Sequence, residues 1–318
     1  MNKANTLVLL GTGGTIAGRA SDPRASLAYR SAELEAGQLA EGLLLPEGAR
    51  LEVEQVAQLD SKDMGPEVWR ALLRRVQHHL QRSEVAGIVI THGTDTLEET
   101  AYLLQAVLDP AKPVVLASAM RPANALSPDG PQNLQDALLL AADPDAQGVL
   151  AVCAGLVHGA LEVQKLHPTR IDAFGSVQPG PLGEVLGGQV RWWRPCADAA
   201  DGLAPEKLQR LLSGEAWPRV EWVSSHAGAT GALVRALLLP VPPGEQPVRG
   251  LLVAGTGNGT LHGDLAAALA QAHRSGIRIW RTTRCALGHV HPSGNADEFP
   301  AVALPPAKAR LALMLDLL

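Results

Sequence analysis

The chain has 318 residues, of which 46% are hydrophobic and 19% are charged, and its net charge is −5. This length predicts two globular domains. The acidic balance argues against a nucleic-acid partner and against binding to an anionic membrane surface. No apolar run reaches the roughly 18 residues that a membrane span needs. The three cysteines are far apart, which favours reduced thiols and shows no metal-ligand spacing.

The amino end does not have the pattern of a secretory signal. The apolar run at residues 7–10 is shorter than the roughly 7 to 15 residues of a signal-peptide core. Gly11 then opens a glycine-rich motif where a cleavage site would be needed. We therefore expect a cytoplasmic location.

Strand-like and helix-like segments alternate along the first part of the chain. Apolar runs at residues 7–10 and 88–90 predict buried strands. Pro66 is placed to begin a helix whose apolar face continues to Leu80, with His78 and His79 on its solvated face. The polar stretch between Gly18 and Tyr29 predicts a long loop. Further strands are expected over 50–56, 113–117 and 149–153, and further helices over 96–108 and 133–142.

This alternation predicts an α/β protein with two α/β domains. The larger, N-terminal domain is expected to be a mainly parallel, doubly wound sheet, closed by a hairpin of 184–186 with 189–192. We assign residues 1–195 to this catalytic domain, 196–217 to a linker and 218–318 to a smaller C-terminal α/β domain. The smaller domain is expected to have strands over 219–223, 250–254 and 277–280, and helices over 231–239, 264–273 and 306–318.

Two threonine-bearing loops carry the candidate chemistry. They are residues 11–18 (GTGGTIAG) and residues 92–100 (HGTDTLEET), and each follows a predicted buried strand. Ligands of an open parallel sheet bind just beyond the carboxyl ends of its strands. Alone, the first loop could cradle a phosphate, but Ile16 breaks the dinucleotide spacing. Alone, the second could be a capping box of Asp95 with Glu98, which is compatible with catalysis because a helix amino end also supplies N–H donors.

Together the two loops resemble the signature segments of the bacterial-type L-asparaginases, which are the asparaginase/glutaminase amidohydrolases. The resemblance extends through residues 60–64 (DSKDM), 119–122 (AMRP), 129–131 (DGP) and 255–259 (GTGNG), and it covers nearly the whole chain. It implies hydrolysis of L-asparagine to L-aspartate and ammonia through an acyl-threonine intermediate, with some glutaminase activity. It implies a role in asparagine catabolism and no cofactor.

The resemblance also assigns catalytic roles. Thr15 matches the threonine that attacks the side-chain amide of the substrate. Thr94 matches a second threonine that works with the adjacent Asp95 and with a lysine, which we place at Lys165. Tyr29 matches a tyrosine in a flexible lid beside the attacking threonine.

Amide hydrolysis by a threonine requires a proton acceptor, a proton donor and hydrogen-bond donors for an oxyanion. A threonine hydroxyl is a weak nucleophile at neutral pH and needs a partner that accepts its proton. The leaving ammonia must be protonated as it departs, and the developing oxyanion needs donors. Lys165 could accept a proton only when neutral, which desolvation favours and a nearby Asp95 opposes. We therefore treat Thr94, Lys165 and Asp95 as one coupled proton network.

The substrate also needs partners for its α-carboxylate and its α-ammonium group. By resemblance Ser61 contacts the carboxylate and Asp95 the ammonium group. Asn258 matches a residue that completes the site of a neighbouring subunit. The expected assembly is therefore a homotetramer of two intimate dimers, or at least a homodimer.

Two departures from the family pattern concern the ammonium end of the substrate. Lys62 stands where many members carry glutamine, and a lysine offers only donors and positive charge. It is expected either to turn to solvent or to pair with a carboxylate such as Asp63. Residues 289–295 (HVHPSGN) lack the acidic residue that members often supply from a neighbouring subunit, and Asp297 or Glu298 could replace it.

Other features of the sequence bear on alternative functions. His289 and His291 have no third ligand at a recognisable spacing, so no metal is expected. The chain has no G-x-S-x-G motif of the common serine hydrolases. One alternative function is an ammonia-supplying, asparaginase-like subunit of a tRNA-dependent amidotransferase. Another is a non-catalytic homologue that binds amino acids.

Overall fold

The computed structural model describes residues 5–24, 27–196, 202–291 and 299–318. The chain divides into two units, Met1–Leu208 and Gln209–Leu318. The predicted linker contains a helix at Pro205–Leu212, and residues 197–201 of the linker lie outside the described part of the chain. The domain boundaries inferred from the sequence stay a prediction.

The larger unit alternates strands with helices, as the apolar runs of its sequence predict. Two single 3-10 turns, Thr15–Ala17 and Ser61–Asp63, lie within this alternation. In chain order the elements are β1 (Thr6–Gly13), β2 (Arg19–Ala20), β3 (Tyr29–Arg30), α1 (Ala36–Ala40), β4 (Arg50–Leu59), α2 (Pro66–Leu80), β5 (Val85–Thr91), α3 (Leu97–Leu108), β6 (Val114–Ala117), α4 (Gly130–Ala142), β7 (Val149–Cys153), β8 (Leu156–Gly159), β9 (Val163–Lys165), β10 (Phe174–Ser176), β11 (Gly183–Leu186) and β12 (Gln189–Trp192).

A mainly parallel sheet forms the centre of this unit. Across the described residues, the strand order is β12-β11-β8-β7-β6-β5-β1-β4. Strands β4, β1, β5, β6 and β7 run parallel. The other neighbours are antiparallel, and the pairing of β11 with β12 confirms the predicted hairpin. Because β1 lies between β4 and β5, the strand order reverses around it, and such a point is where ligands of α/β sheets bind.

Helices cover both faces of the sheet. Leu7 and Leu9 of β1 join Leu134 and Leu138 of α4 in one buried cluster, to which α1 also contributes. Side chains alternate along a strand, so Val8 and Leu10 face the other side, where α2 and α3 pack. A Cβ on Gly87 would lie 2.1 Å from the carbonyl oxygen of Ala141. Glycine in β5 therefore allows α4 to approach the sheet closely.

Several local predictions differ from the structure. Helix α4 begins at Gly130, three residues before the expected Asn133, because a proline in the first helical turn needs no hydrogen-bond donor. The predicted loop between Gly18 and Tyr29 contains the short antiparallel pair of β2 with β3. The expectation for His79 was wrong. Its side chain is buried and bonds Glu54 of β4 at 3.1 Å.

The smaller unit is a second α/β layer. Its strands pair in parallel in the order β13-β14-β15, and its core includes Leu251, Val253 and Leu269. Among the described residues of the whole chain, no helix is long and apolar enough to cross a membrane. Helix α5 (Pro205–Leu212) includes residues on both sides of the boundary between the two units. In chain order the later elements are β13 (Val220–Ser224), α6 (Ala232–Leu237), β14 (Gly250–Gly255), α7 (Gly263–Arg274), β15 (Arg278–Thr283) and α8 (Pro306–Asp316).

Candidate active site

Three loops meet at one edge of the larger sheet. Thr15 follows β1, Thr94 follows β5 and Ser61 follows β4. These strands are neighbours and run parallel, so their carboxyl ends lie side by side. All three side chains are buried, at 6%, 5% and 2% exposure respectively.

The two threonine loops touch each other through glycines. A Cβ on Gly14 would lie 2.3 Å from Cα of Gly93, and a Cβ on Gly93 would lie 2.5 Å from Oγ of Ser61. Gly14 also has a φ of 81°, which strains any other residue. A side chain at either glycine would therefore push Thr15 away from Thr94 or displace Ser61.

Thr15 is paired with Tyr29. The Thr15 Oγ1 and Tyr29 Oη atoms are 2.7 Å apart, and either hydroxyl could be the donor. Tyr29 lies on β3, opposite Ala20 of β2. The β2–β3 hairpin thus places a second hydroxyl at the predicted nucleophile.

Lys165 links Thr94 to Asp95. Its Nζ atom donates to Thr94 Oγ1 at 2.8 Å and to Asp95 Oδ1 at 2.6 Å, and its side chain is only 16% exposed. An ammonium group has donors only, so Thr94 accepts from it and its own hydroxyl hydrogen points to another acceptor. This arrangement brings together the three members of the predicted proton network.

The structure does not have the capping box of Asp95 with Glu98 that was one interpretation of this segment. Helix α3 has Thr96 at its N-cap position, and no side chain caps it by a hydrogen bond. The carboxylate of Asp95 bonds Lys165 instead. A charged partner offers a stronger hydrogen bond than a backbone N–H group does.

Ser61 is fixed by the loop that carries Thr94. The backbone N–H of Asp95 donates to Ser61 Oγ at 3.2 Å, and Thr96 Oγ1 donates to the Ser61 carbonyl oxygen at 2.8 Å. Sequence reasoning missed Thr96, although it stands in the second threonine-bearing loop. Its partner is 35 residues away, so no local pattern indicates this bond.

Lys62 pairs with two carboxylates. Its Nζ atom lies 3.1 Å from Asp60 Oδ2 and 3.0 Å from Asp63 Oδ2, which confirms the expected pairing with a carboxylate. Hydrogen bonds to Asp63 and Asp60 raise the pKa of Lys62. Partial burial would raise the pKa of Asp60, but its hydrogen bonds from Lys62 outweigh this effect and lower it. Lys62 is therefore held charged.

In the smaller unit, the side chain of Asn258 makes two hydrogen bonds to the backbone of His291. Its Nδ2 group donates to the His291 carbonyl oxygen at 2.9 Å, and its Oδ1 atom accepts from the His291 N–H at 2.8 Å. Residues 292–298, which include the candidate carboxylates Asp297 and Glu298, lie outside the described residues. The described part of the chain has no group of three His, Cys, Asp or Glu side chains suited to a metal ion.

A buried hydrogen-bond chain lies beneath the second threonine loop. Trp69 Nε1 donates to Thr100 Oγ1 at 2.8 Å. The Thr100 hydroxyl lies 2.9 Å from His92 Nε2, and His92 Nδ1 lies 2.7 Å from the Gly93 carbonyl oxygen. Because the indole is only a donor and the carbonyl only an acceptor, this order fixes His92 in the neutral tautomer with its hydrogen on Nδ1. Complete burial lowers the pKa of His92 to about 4, although its bond to Gly93 opposes the shift.

These contacts define a hydrolytic type of site. It has a buried threonine hydroxyl with a hydroxyl partner, and next to it a threonine–lysine–aspartate network. Both stand at the switch point of a parallel sheet.

Comparison with known proteins identifies the family. The model Asparaginase, N-terminal matches residues 6–197, and the model Glutaminase/Asparaginase C-terminal domain matches residues 219–317. The chain therefore belongs to the asparaginase/glutaminase family.

Individual relatives agree with this assignment. L-asparaginase 2 of Escherichia coli (strain K12) is 34% identical over 98% of this chain and 88% of its own length. Glutaminase-asparaginase of Pseudomonas fluorescens biotype A is 33% identical over 99% of this chain and 87% of its own length. A solved structure described as "Probable Cytoplasmic L-asparaginase" from Campylobacter jejuni matches with a TM-score of 0.88 and 31% identity, covering 98% of this chain and 95% of that one.

The neutral state of His92 predicts a pH dependence of stability. The unfolded chain binds a proton at His92 below about pH 6.5, whereas the folded chain does so only near the lowered pKa. Between these values the unfolded state binds more protons, so the stability contributed by His92 is complete above pH 6.5 and is lost as the pH falls. We expect this loss to be about 2 kcal/mol between pH 7 and pH 5.

Urea unfolding of the wild type and of His92→Asn at both pH values measures this loss. Burial also lowers the pKa of His79, so only the difference between the two proteins isolates His92. The same pH dependence in both would contradict the prediction.

Proposed function

We propose that the protein hydrolyses L-asparagine to L-aspartate and ammonia and acts on L-glutamine as a secondary substrate. The observation that carries this proposal is the position of Lys165, which bonds both Thr94 and Asp95 beside the loop of Thr15. The names of the relatives support both substrates. The match over 98% of the chain to an L-asparaginase favours neither the amidotransferase subunit nor the non-catalytic homologue.

The proposed reaction begins at Thr15. Its Oγ1 atom attacks the side-chain amide carbon, and the hydroxyl proton passes to an acceptor. Tyr29, whose Oη atom is 2.7 Å away, can accept that proton only if it gives up its own hydroxyl proton, which goes to the amide nitrogen. The tetrahedral intermediate then collapses as this protonated nitrogen leaves as ammonia, and an acyl-threonine ester remains.

The second half of the proposed reaction uses the Thr94 network. A water molecule attacks the acyl-threonine ester and gives up one proton, which returns to Thr15 as L-aspartate is released. Thr94, held by Lys165, is placed to orient this water and to relay its proton, while the positive charge of Lys165 stabilises developing negative charge. Asp95 keeps Lys165 in place and offers its remaining lone pairs to the substrate ammonium group.

The location and assembly of the protein also belong to this proposal. We keep the expected cytoplasmic location, although related proteins are named both as cytoplasmic and as periplasmic. We propose a homotetramer in which Asn258 of one subunit serves its neighbour. Since the Asn258 amide bonds the His291 backbone, we infer that it holds that segment in shape for the neighbouring site.

Replacement of Thr15 tests the proposed nucleophile. Thr15→Ala removes the attacking oxygen and should lower kcat by about a thousandfold or more. Thr15→Ser, the matched control, keeps a hydroxyl and should keep measurable turnover. Thr94→Val should also cost several orders of magnitude, because one missing member disables a proton network. Ammonia release from asparagine and from glutamine measures all three, and near-normal activity of folded Thr15→Ala would refute the assignment.

Replacement of Lys62 tests substrate recognition. Its ammonium group is committed to Asp60 and Asp63 and cannot accept a hydrogen bond from the substrate ammonium group. Lys62→Gln should lower KM for asparagine with little change in kcat, because its carbonyl oxygen adds a contact of about 1 kcal/mol. Lys62→Met removes the charge but adds no acceptor, so it should lower KM less. A KM for Lys62→Gln that is unchanged or higher would rule out this effect.

Mixed oligomers test the shared site. Thr15→Ala and Asn258→Ala should each be far less active than the wild type. When the two variants are unfolded and refolded together, some sites combine an intact Thr15 with an intact Asn258 and should regain activity. Light scattering at assay concentration gives the oligomeric state. An active monomer, or mixtures no more active than the separate variants, would contradict shared sites.

A further inference from the structure

The β2–β3 hairpin that carries Tyr29 is very short. It consists of two residue pairs, Arg19 with Arg30 and Ala20 with Tyr29, and an isolated two-stranded hairpin is marginally stable at best. A cavity of about 620 Å³ is lined by Tyr29 and Asn124, so one side of the hairpin borders open space. The chain after β3 is held to the first threonine loop, because the N–H of Ala32 donates to the Gly14 carbonyl oxygen at 3.1 Å. What holds β2 is the open question.

Asn124 bonds the hairpin as a neighbouring strand would. Its Nδ2 group donates to the Ala20 carbonyl oxygen at 2.7 Å, and its Oδ1 atom accepts from the Ala20 N–H at 2.8 Å. The backbone N–H and C=O groups of a strand residue point to the same side. Both groups of Ala20 bond Asn124, so they point away from Tyr29. Antiparallel strands alternate between hydrogen-bonded and non-bonded pairs, and Ala20 with Tyr29 is thus a non-bonded pair. The Asn124 amide satisfies the two groups that the hairpin leaves open.

The loop that carries Asn124 is firmly built. We name residues 118–129 the anchor loop, which joins β6 to α4. The carboxylate of Asp129 accepts the N–H groups of Met120 at 2.8 Å and Arg121 at 2.9 Å. The backbone N–H of Ala123 donates to the Gly18 carbonyl oxygen at 2.9 Å, next to β2. The anchor loop therefore ties the hairpin to the central sheet.

The connection from Asn124 to Thr15 is short. A Cβ on Gly18 would lie 2.9 Å from the Arg30 carbonyl oxygen and 3.0 Å from Cδ2 of Tyr29, so the start of β2 is packed tightly against β3. A shift of Ala20 would carry Tyr29 with it and lengthen the 2.7 Å contact to Thr15.

We propose that Asn124 is a positioning residue that holds the β2–β3 hairpin, and with it Tyr29, against Thr15. Its side-chain amide bonds Ala20 and not Thr15 or Tyr29, and it acts by completing the backbone hydrogen bonds of Ala20. This role rests on the proposed function of Thr15.

The structure offers a matched control for this test. The side-chain amide of Gln135 makes the same two hydrogen bonds to the backbone of Leu44. It accepts from the Leu44 N–H at 2.9 Å and donates to the Leu44 carbonyl oxygen at 2.7 Å. Gln135→Ala removes the same two types of bond from an exposed segment that carries no residue of the candidate site. It controls for the loss of two amide hydrogen bonds as such.

The first measurement is hydrogen exchange of peptides that span residues 17–31. In Asn124→Ala we expect exchange to be about tenfold faster, because two hydrogen bonds that hold the segment are lost. Exchange in Gln135→Ala should be unchanged there. Asn124→Asp keeps the acceptor and loses the donor, so it should be intermediate, and it replaces Asn124→Ala if that variant does not fold. Unchanged exchange in both Asn124 variants would overturn the proposal, whatever the protein's activity.

The second measurement is a double-mutant cycle with Tyr29→Phe, read as kcat/KM. If Asn124 acts through Tyr29, Asn124→Ala should lower kcat/KM about tenfold, and Tyr29→Phe should cost much less in that background than in the wild type. Effects that multiply in full would show that Asn124 acts elsewhere and would overturn the proposal. An inactive wild type would refute the proposed function, while the exchange measurement would still test the anchor.

Discussion

The close approach of Gly14 to Gly93 is the constraint on which the candidate site depends. Neighbouring strands lie about 4.8 Å apart, and loops that continue from their ends have little more room. A Cβ on Gly14 would come within 2.3 Å of the facing loop. Only because both positions lack a side chain can Thr15 and Thr94 stand next to each other. The hydrogen bonds of Ser61, Lys165 and Tyr29 then fix the orientation of a pair that the glycines bring together.

The charges at this edge of the sheet form two small groups. Lys165 pairs with one carboxylate, that of Asp95, whereas Lys62 pairs with two, those of Asp60 and Asp63, which leaves its group with a net negative charge. Lys62 is largely exposed, with a side-chain exposure of 61%, whereas Lys165 is at 16%. Solvent therefore screens the charge of Lys62 more than that of Lys165. Of the two lysines, Lys165 contributes more to the electric field at the second threonine loop.

The sequence alone predicted the fold well because its strands are short apolar runs and its helices have one apolar face. The mainly parallel sheet, the closing hairpin and the family all followed from patterns that are local in the chain, whereas the order of the strands did not. Asp95 bonds Lys165, 70 residues away, and for that reason the local capping pattern misled. His79 was misassigned because Glu54 of a neighbouring strand supplies its partner. Thr96 and Asn124 escaped notice for the same reason, since a polar side chain bonded to a distant backbone leaves no periodic signal.

The central place of β1 also bears on how the protein acquires its activity. Ser61 follows β4 and Thr94 follows β5, and these two strands pair with opposite edges of β1. Lys165 lies later in the chain, on β9. Strands β1, β4 and β5 must be paired, and β9 must be paired with β10, before Thr15, Thr94 and Lys165 come together. A partly folded chain can thus have much of its secondary structure and still lack a site. Turnover during refolding would therefore recover only after the larger unit is complete, a stage that spectroscopic signals of helix and strand do not distinguish.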